Sequence, residues 1–149
     1  MTRLAAPHWL RLAACLGVLA LGGVVSTAAL ASDTGYTVKV KVVKPTVPLN
    51  ATFKVVASGV SANTSQLLVF INITKKCALS AAKETMVSSD ELALNVHVTG
   101  AYAKSVPEVA HFVGKHHACA YLRSVPPPSP AQLRARAGAV YHVINSPAG

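Results

Sequence analysis

The sequence predicts an all-β sandwich of about seven antiparallel strands, with one disulfide and a short helical insert near residues 78–86. Three observations predict it. Beyond residue 31 the apolar residues recur mostly at every second position, the period of a half-buried strand. Clusters of turn-forming residues cut these runs into short pieces spaced as in sandwich domains. Two cysteines, Cys77 and Cys119, are left to pair with each other once the N-terminal segment is set aside.

That segment, residues 1–31, reads as an export signal. Arg3 and Arg11 make its start basic, and the stretch from Leu12 to Leu30 is apolar apart from Ser26 and Thr27. Ala29-Leu30-Ala31 has the small-x-small form of a cleavage site, which places the cut between Ala31 and Ser32. The competing reading is an uncleaved anchor, because the apolar run is nearly long enough to span a bilayer. Leu12-Ala13-Ala14-Cys15 resembles a lipoprotein signal, yet sixteen mostly apolar residues follow Cys15 before the cut, where a lipidated cysteine would end the run.

Residues 32–149 then form a single domain of 118 residues, enough for a modest core. Losing Arg3 and Arg11 leaves twelve basic residues against five acidic ones, a net charge of +7. The basic residues are scattered, with only Lys75 and Lys76 adjacent among the lysines, and none forms a basic helix. With export, this argues against nucleic acid as a partner and for a diffuse attraction to anionic envelope polymers. An oxidising compartment favours the Cys77–Cys119 bond, which the chain-entropy account values at about 4 kcal/mol for a loop of this size.

The elements follow in order. In 36-YTVKVKVVK-44, Val38, Val40 and Val42 alternate with Lys39 and Lys41, and Pro45 and Pro48 close the strand. In 52-TFKVVASGV-60, Phe53, Val55 and Ala57 alternate with Lys54, Val56 and Ser58. Ser61–Ser65 reads as a polar turn, and 67-LLVFINIT-74, apolar on both faces, as a central strand. The stretch 77-CALSAAKETMVSS-89 has a helix-forming composition, expected as one or two turns over 78–86. A strand over 91–100 would put Leu92, Leu94, Val96 and Val98 inside, and short strands follow at 101–106 and 108–113. Strands 115–123 and 133–144 flank a proline-rich loop, and residues 146–149 are expected to fray.

Four pieces of this pattern, T-F-K-V-V-A-S-G (52–59), L-L-V-F-I (67–71), Cys77 with its alanine-rich continuation to 83, and G-x-H-x-x-C-A-Y-L (114–122), carry a resemblance. The chain resembles small exported bacterial proteins, of actinobacterial type, that are immunoglobulin-like β-sandwiches. The resemblance implies a fold and an extracytoplasmic, secreted location, and it supplies no catalytic residue. Antibody-type domains place a tryptophan between two cysteines on facing strands, whereas Trp9, the only tryptophan here, lies in the signal.

The most chemical stretch is 114-GKHHACAYLRSVPPPSP-130. On a strand His116, Ala118, Ala120 and Leu122 share one face, and His117, Cys119 and Tyr121 the other. The small apolar set is assigned to the core, with His116 half-buried and His117 solvated. Cys119 then points outward, and its bond to Cys77 pins the 77–86 segment across the outside of the sheet. Adjacent histidines cannot both point inward, and no H-x-x-x-H or C-x-x-C spacing is present. The remaining metal reading assembles a site from His117, His142 and a further ligand.

Catalytic readings find little. There is no G-x-S-x-G elbow or phosphate-binding glycine loop. Adjacent Asp90 and Glu91 read as turn residues rather than a glycosidase carboxylate pair. Three N-x-[ST] sequons, at Asn50, Asn63 and Asn72, are short patterns frequent by chance. The loop Ser124, Val125, Pro126, Pro127, Pro128, Ser129 and Pro130 is the candidate binding loop, since prolines lower the ordering cost of a contact. The alternative is that these prolines only stiffen a hairpin connection. The expectation is a non-catalytic exported module, without cofactor, that touches a protein or an anionic envelope polymer. The alternative is a small extracytoplasmic metal-binding protein.

Overall fold

A computed structural model describes residues 34–84, 90–125 and 131–146. It contains six strands: β1 (Tyr36–Val42), β2 (Thr46–Pro48), β3 (Thr52–Asn72), β4 (Glu91–Val109), β5 (Gly114–Ser124) and β6 (Leu133–Ile144). The fold is an all-β sandwich with one disulfide, Cys77–Cys119. The expected export signal and the prolines of the 126–130 loop lie outside the described residues.

Two strands are far longer than the sequence suggests, and they build both layers. The first half of β3 pairs with β1 and with the end of β4, and its second half pairs with β5 and with the start of β4. One bent hairpin, β3–β4, therefore runs through both sheets. The expected turn at Ser61–Ser65 is the corner of this bend. Pairing passes from Ser61↔Gly100 to Ser65↔Val98, so β3 gains extra residues against one on β4. Gly100, at φ 66°, takes the left-handed conformation that β4 needs to turn with it. The serines that read as loop residues are buried in this corner, where the Ser61 hydroxyl lies 2.6 Å from the Asn63 carbonyl and 2.7 Å from the Ser65 hydroxyl.

The bend can be gauged on β4. Glu91 and Glu108, seventeen residues apart, would be separated by about 55 Å on a straight strand. Their carboxyl groups instead hydrogen-bond to one another. Strands expected separately at 91–100, 101–106 and 108–113 are largely this single β4. Pro107 does not break it because β4 pairs only with β3, and a proline is tolerated on an edge.

Three further expectations are corrected. Leu92 lies outside the core and is 38% exposed, because the pairing shifts from Val69↔Leu94 to Phe70↔Leu92 and the extra residue, Ala93, reverses the face. The helical insert shrinks to a single 3-10 turn, Ala81–Lys83, in the part of it that is described. Thr46–Pro48, taken as a strand-ending proline segment, forms a short parallel pairing with His142–Ile144.

The core lies between β1, the first half of β3 and the end of β4 on one side, and β5, β6 and the second half of β3 on the other. Val38, Val40, Val55 and Ala57 meet Leu67, Val69, Ala118, Ala120, Leu122, Ala137 and Tyr141 there. Phe53 and Tyr141 stack across it with ring centres 4.9 Å apart.

Candidate functional site

Strand β5 is buried on both faces, and its alternation is as the sequence predicts. Ala118, Ala120 and Leu122 join the main core, while Cys119 and Tyr121 form a second apolar cluster with Leu68 and Phe70 on the outer face. Cys77 covers this cluster and is bonded to Cys119, so the disulfide fastens a segment over the outside of the sheet and does not cross the core. Gly138 leaves the space for it, since a Cβ at that position would sit 3.0 Å from the Cys77 sulfur.

Beneath the cover is a polar cluster that the sequence did not signal. The Asn72 amide donates to Glu84 Oε1, and Glu84 Oε2 accepts from the Ala78 amide at 2.9 Å and from the Tyr121 hydroxyl at 2.7 Å. Arg136 donates to the Ala78 carbonyl at 3.1 Å. Burial, then the Glu84 carboxylate, push the Tyr121 hydroxyl upward, so it stays a donor at neutral pH. Beside this cluster Lys75 pairs with the fully buried carboxylate of Asp90 at 2.9 Å, and the Ile73 amide donates to the same carboxylate. These contacts tie the segment after β3 down at several points, and buried charge is tolerated there because it is partnered.

The second cluster lies at the open end of the sandwich, where the ends of β4 meet. Glu108 is pushed up to about 7, first by burial and then by the charge and hydrogen bond of Glu91. The Tyr141 hydroxyl is also pushed upward, by burial first and then by these two carboxylates. Glu108 therefore exchanges its proton near neutrality, a property useful for acid–base chemistry. Yet the two carboxyls are in mutual contact, and the cavity they line with His116 and Tyr141 holds only about 40 Å³. That is room for a few waters and not for a substrate. No spacing in the sequence could have found this pair, because only the fold of β4 brings it together.

The histidines take structural places. His116, expected half-buried, is only 2% exposed. Its two ring nitrogens lie 2.8 Å from the Ile73 carbonyl and 2.6 Å from the Phe112 carbonyl, so both are turned to main-chain oxygens rather than to a shared metal site. His117 and His142 share the outer face of neighbouring strands, each offset by one pair: His117 opposes Val140, and His142 opposes Lys115. Burial, then the charges of Lys115 and Lys76, lower the His117 pKa. Among the described residues no group of three or more His, Cys, Asp or Glu side chains could hold a metal ion.

Of the candidate binding loop, the structure describes the stem. Ser124 is buried, its amide donates to the Gln132 carbonyl at 2.9 Å, and its hydroxyl accepts from the Gln132 amide at 2.9 Å. Ser124 thus belongs to the base of the hairpin and not to a contact surface, and Val125 is half-buried.

A different surface distinguishes itself by charge. The outer face of the β1–β3–β4 layer carries Lys39, Lys41 and Lys54, all exposed, with Thr37, Val56, Ser58 and Val60 between them. The chain has five acidic residues, and the four within the described residues are committed elsewhere: Glu84 and Asp90 under the stapled segment, Glu91 and Glu108 to one another. No ion pair of a carboxylate with these lysines is found among the described residues.

No protein-family model matches the chain, and no curated protein matches it. Solved structures similar to it in outline include two of different size. The CARDB domain of the PF1109 protein from Pyrococcus furiosus, in complex with di-metal ions, is 12% identical over 77% of this chain and 94% of that one, with a TM-score of 0.46. A β-glucosidase from Listeria innocua, in complex with glucose, is 11% identical over 72% of this chain but only 16% of that one, with a TM-score of 0.35.

Proposed function

We propose that this chain is a non-catalytic exported binding module that works by surface contact with a protein or an anionic envelope polymer. The observation that carries the reading is the division of charge. The described carboxylates are partnered elsewhere in the structure, while Lys39, Lys41 and Lys54 stand on a solvent-facing sheet without a counter-charge among the described residues. Fields of this kind steer and hold anionic partners without any chemistry at the surface. The disulfide supports an oxidising, extracytoplasmic location. Of the two clusters with chemical potential, the Glu84 group ties the stapled segment down, and the Glu91–Glu108 pair lines a cavity of only about 40 Å³.

The test is cross-linking in the native host followed by mass spectrometry, with lysine-reactive reagents that report which lysines are protected. A specific partner whose cross-links fall on Lys39, Lys41 or Lys54 supports the reading. A survey with no specific partner, or with cross-links spread evenly over all lysines, removes it. Intact mass of the same material gives the first residue and shows whether the 1–31 segment is removed. The 124–130 loop is a second place where contacts are to be sought.

A further inference from the structure

The binding-module reading can be narrowed to one edge and one kind of partner. Strand β1 pairs with β3 on one side, and its other edge pairs with no strand among the described residues. Next to that edge the two layers stand apart and leave a groove of about 540 Å³, lined by Val40, Val42, Val43, Pro45, Ala139 and Val140. Lys39 and Lys41 form its outer rim. We infer that the free edge of β1 takes an added strand: an extended segment of a partner protein in which acidic and apolar residues alternate. This rests on the reading above and commits it to a protein.

The alternation follows from the geometry. An added strand would extend the β1–β3–β4 sheet, and its side chains would fall alternately on that sheet's two faces. Those on the outer face would lie across from Lys39 and Lys41, where carboxylates are favoured and cations repelled. Those on the inner face would enter the groove over Ala139 and Val140, where apolar side chains are favoured. Main-chain groups of the newcomer would satisfy the open N–H and C=O row of β1.

The other occupants fit less well. Two copies of β1 paired antiparallel about their centres would set Lys39 against Lys39, and a shift by two residues would set Lys39 against Lys41. Like charges directly opposite destabilise a sheet, so the edge resists a second copy of this chain. A phosphate or sulfate polymer would meet the lysines but leave the main-chain row unpaired and the groove empty.

The experiment uses the protein purified without its 1–31 segment and a fluorescent seven-residue peptide of alternating Glu and Val. Its controls are the Lys–Val counterpart, a Glu–Val peptide N-methylated on the amides that would face β1, and polyphosphate. Anisotropy measures binding, and backbone amide exchange locates it. The expected result is binding of the Glu–Val peptide alone among the peptides, with slowed exchange in residues 36–42. The K39E/K41E double variant should weaken it by about tenfold, as two exposed charge pairs would. Its far-ultraviolet spectrum and disulfide show that it is folded.

Binding that survives N-methylation, or protection that falls elsewhere, overturns strand addition. Binding of polyphosphate but not of the peptide also overturns it, while leaving the anionic-surface reading intact. Binding of neither, with no cross-linked partner in the host, removes both.

Discussion

The two outer faces of the sandwich are finished in opposite ways. The face of β5 and the second half of β3 is sealed by a segment held with a disulfide, a buried Glu84 cluster and the Lys75–Asp90 pair. The face of β1 and the first half of β3 is left open, its lysines exposed and a groove beside its edge. The difference teaches that the polar residues drawing most attention in the sequence stabilise the fold, and that the plain alternating lysines of YTVKVKV are left for contact. A buried polar group has to be partnered inside the protein, whereas an exposed lysine can wait for a partner outside it.

The strongest way to break this comparison is to remove the staple. Replacing Cys77 and Cys119 together by alanine should cost about 4 kcal/mol in urea unfolding, by the loop-entropy account. The loss should be uneven. Amide exchange in residues 78–84 should accelerate first, because that segment holds only a 3-10 turn and relies on its tethers. If β1 loses protection before 78–84 does, the staple is not what separates the two faces.

On the open layer the corresponding weak point is Gly59. A Cβ there would lie 2.0 Å from the Thr37 carbonyl oxygen and 2.9 Å from the Tyr102 hydroxyl, which itself donates to that carbonyl at 2.9 Å. Gly59→Ala therefore forces main chain apart and is expected to lower stability by about 3 kcal/mol. It should also loosen the β1–β3 pairing, visible as faster exchange in residues 36–42. A neutral outcome would mean that β1 shifts freely, and would weaken the picture of a fixed edge.

These two sites also show what could be read from the sequence. Local rules sufficed for β5: strict alternation put Ala118, Ala120 and Leu122 inside and Cys119 outside, and cysteine count paired it with Cys77. The same rules failed at Ser61–Ser65, because a strand that turns a corner between layers exposes the same composition as a loop until the fold buries it. They failed at Leu92 because one inserted residue, Ala93, reverses the face of the residue before it, while Leu94, Val96 and Val98 keep to the core side. The Glu91–Glu108 pair was invisible for a third reason. It depends on a bend between two strand ends, and no residue near either glutamate encodes that meeting.

That pair yields a milder prediction. Glu108 has a folded-state pKa of about 7 against an ordinary 4.5, so the folded protein holds this proton more tightly than the unfolded chain. Its contribution is fully present below about pH 4.5 and is lost as pH rises through 7. Allowing for solvent screening at a carboxyl near the surface, the loss is about 1 kcal/mol. Stability measured from pH 5 to pH 8 should fall by that amount in the wild type. Glu108→Gln, which keeps a donor for Glu91, should flatten the slope. An equal slope in the variant would place the titration elsewhere.

The smallest effect on folding is expected at the open edge. Lys39→Ala with Lys41→Ala removes two exposed side chains that have no carboxylate partner among the described residues, and should shift unfolding by no more than about 0.5 kcal/mol. What should change is association. Without its lysines β1 becomes an uncharged, β-branched edge beside an apolar groove, the kind of edge that pairs with itself. Sedimentation at rising concentration should show the double variant self-associating where the wild type does not. A variant that is equally stable and equally monomeric would mean that the lysines do not guard the edge. A loss of stability of 2 kcal/mol or more would mean that they belong to the fold after all.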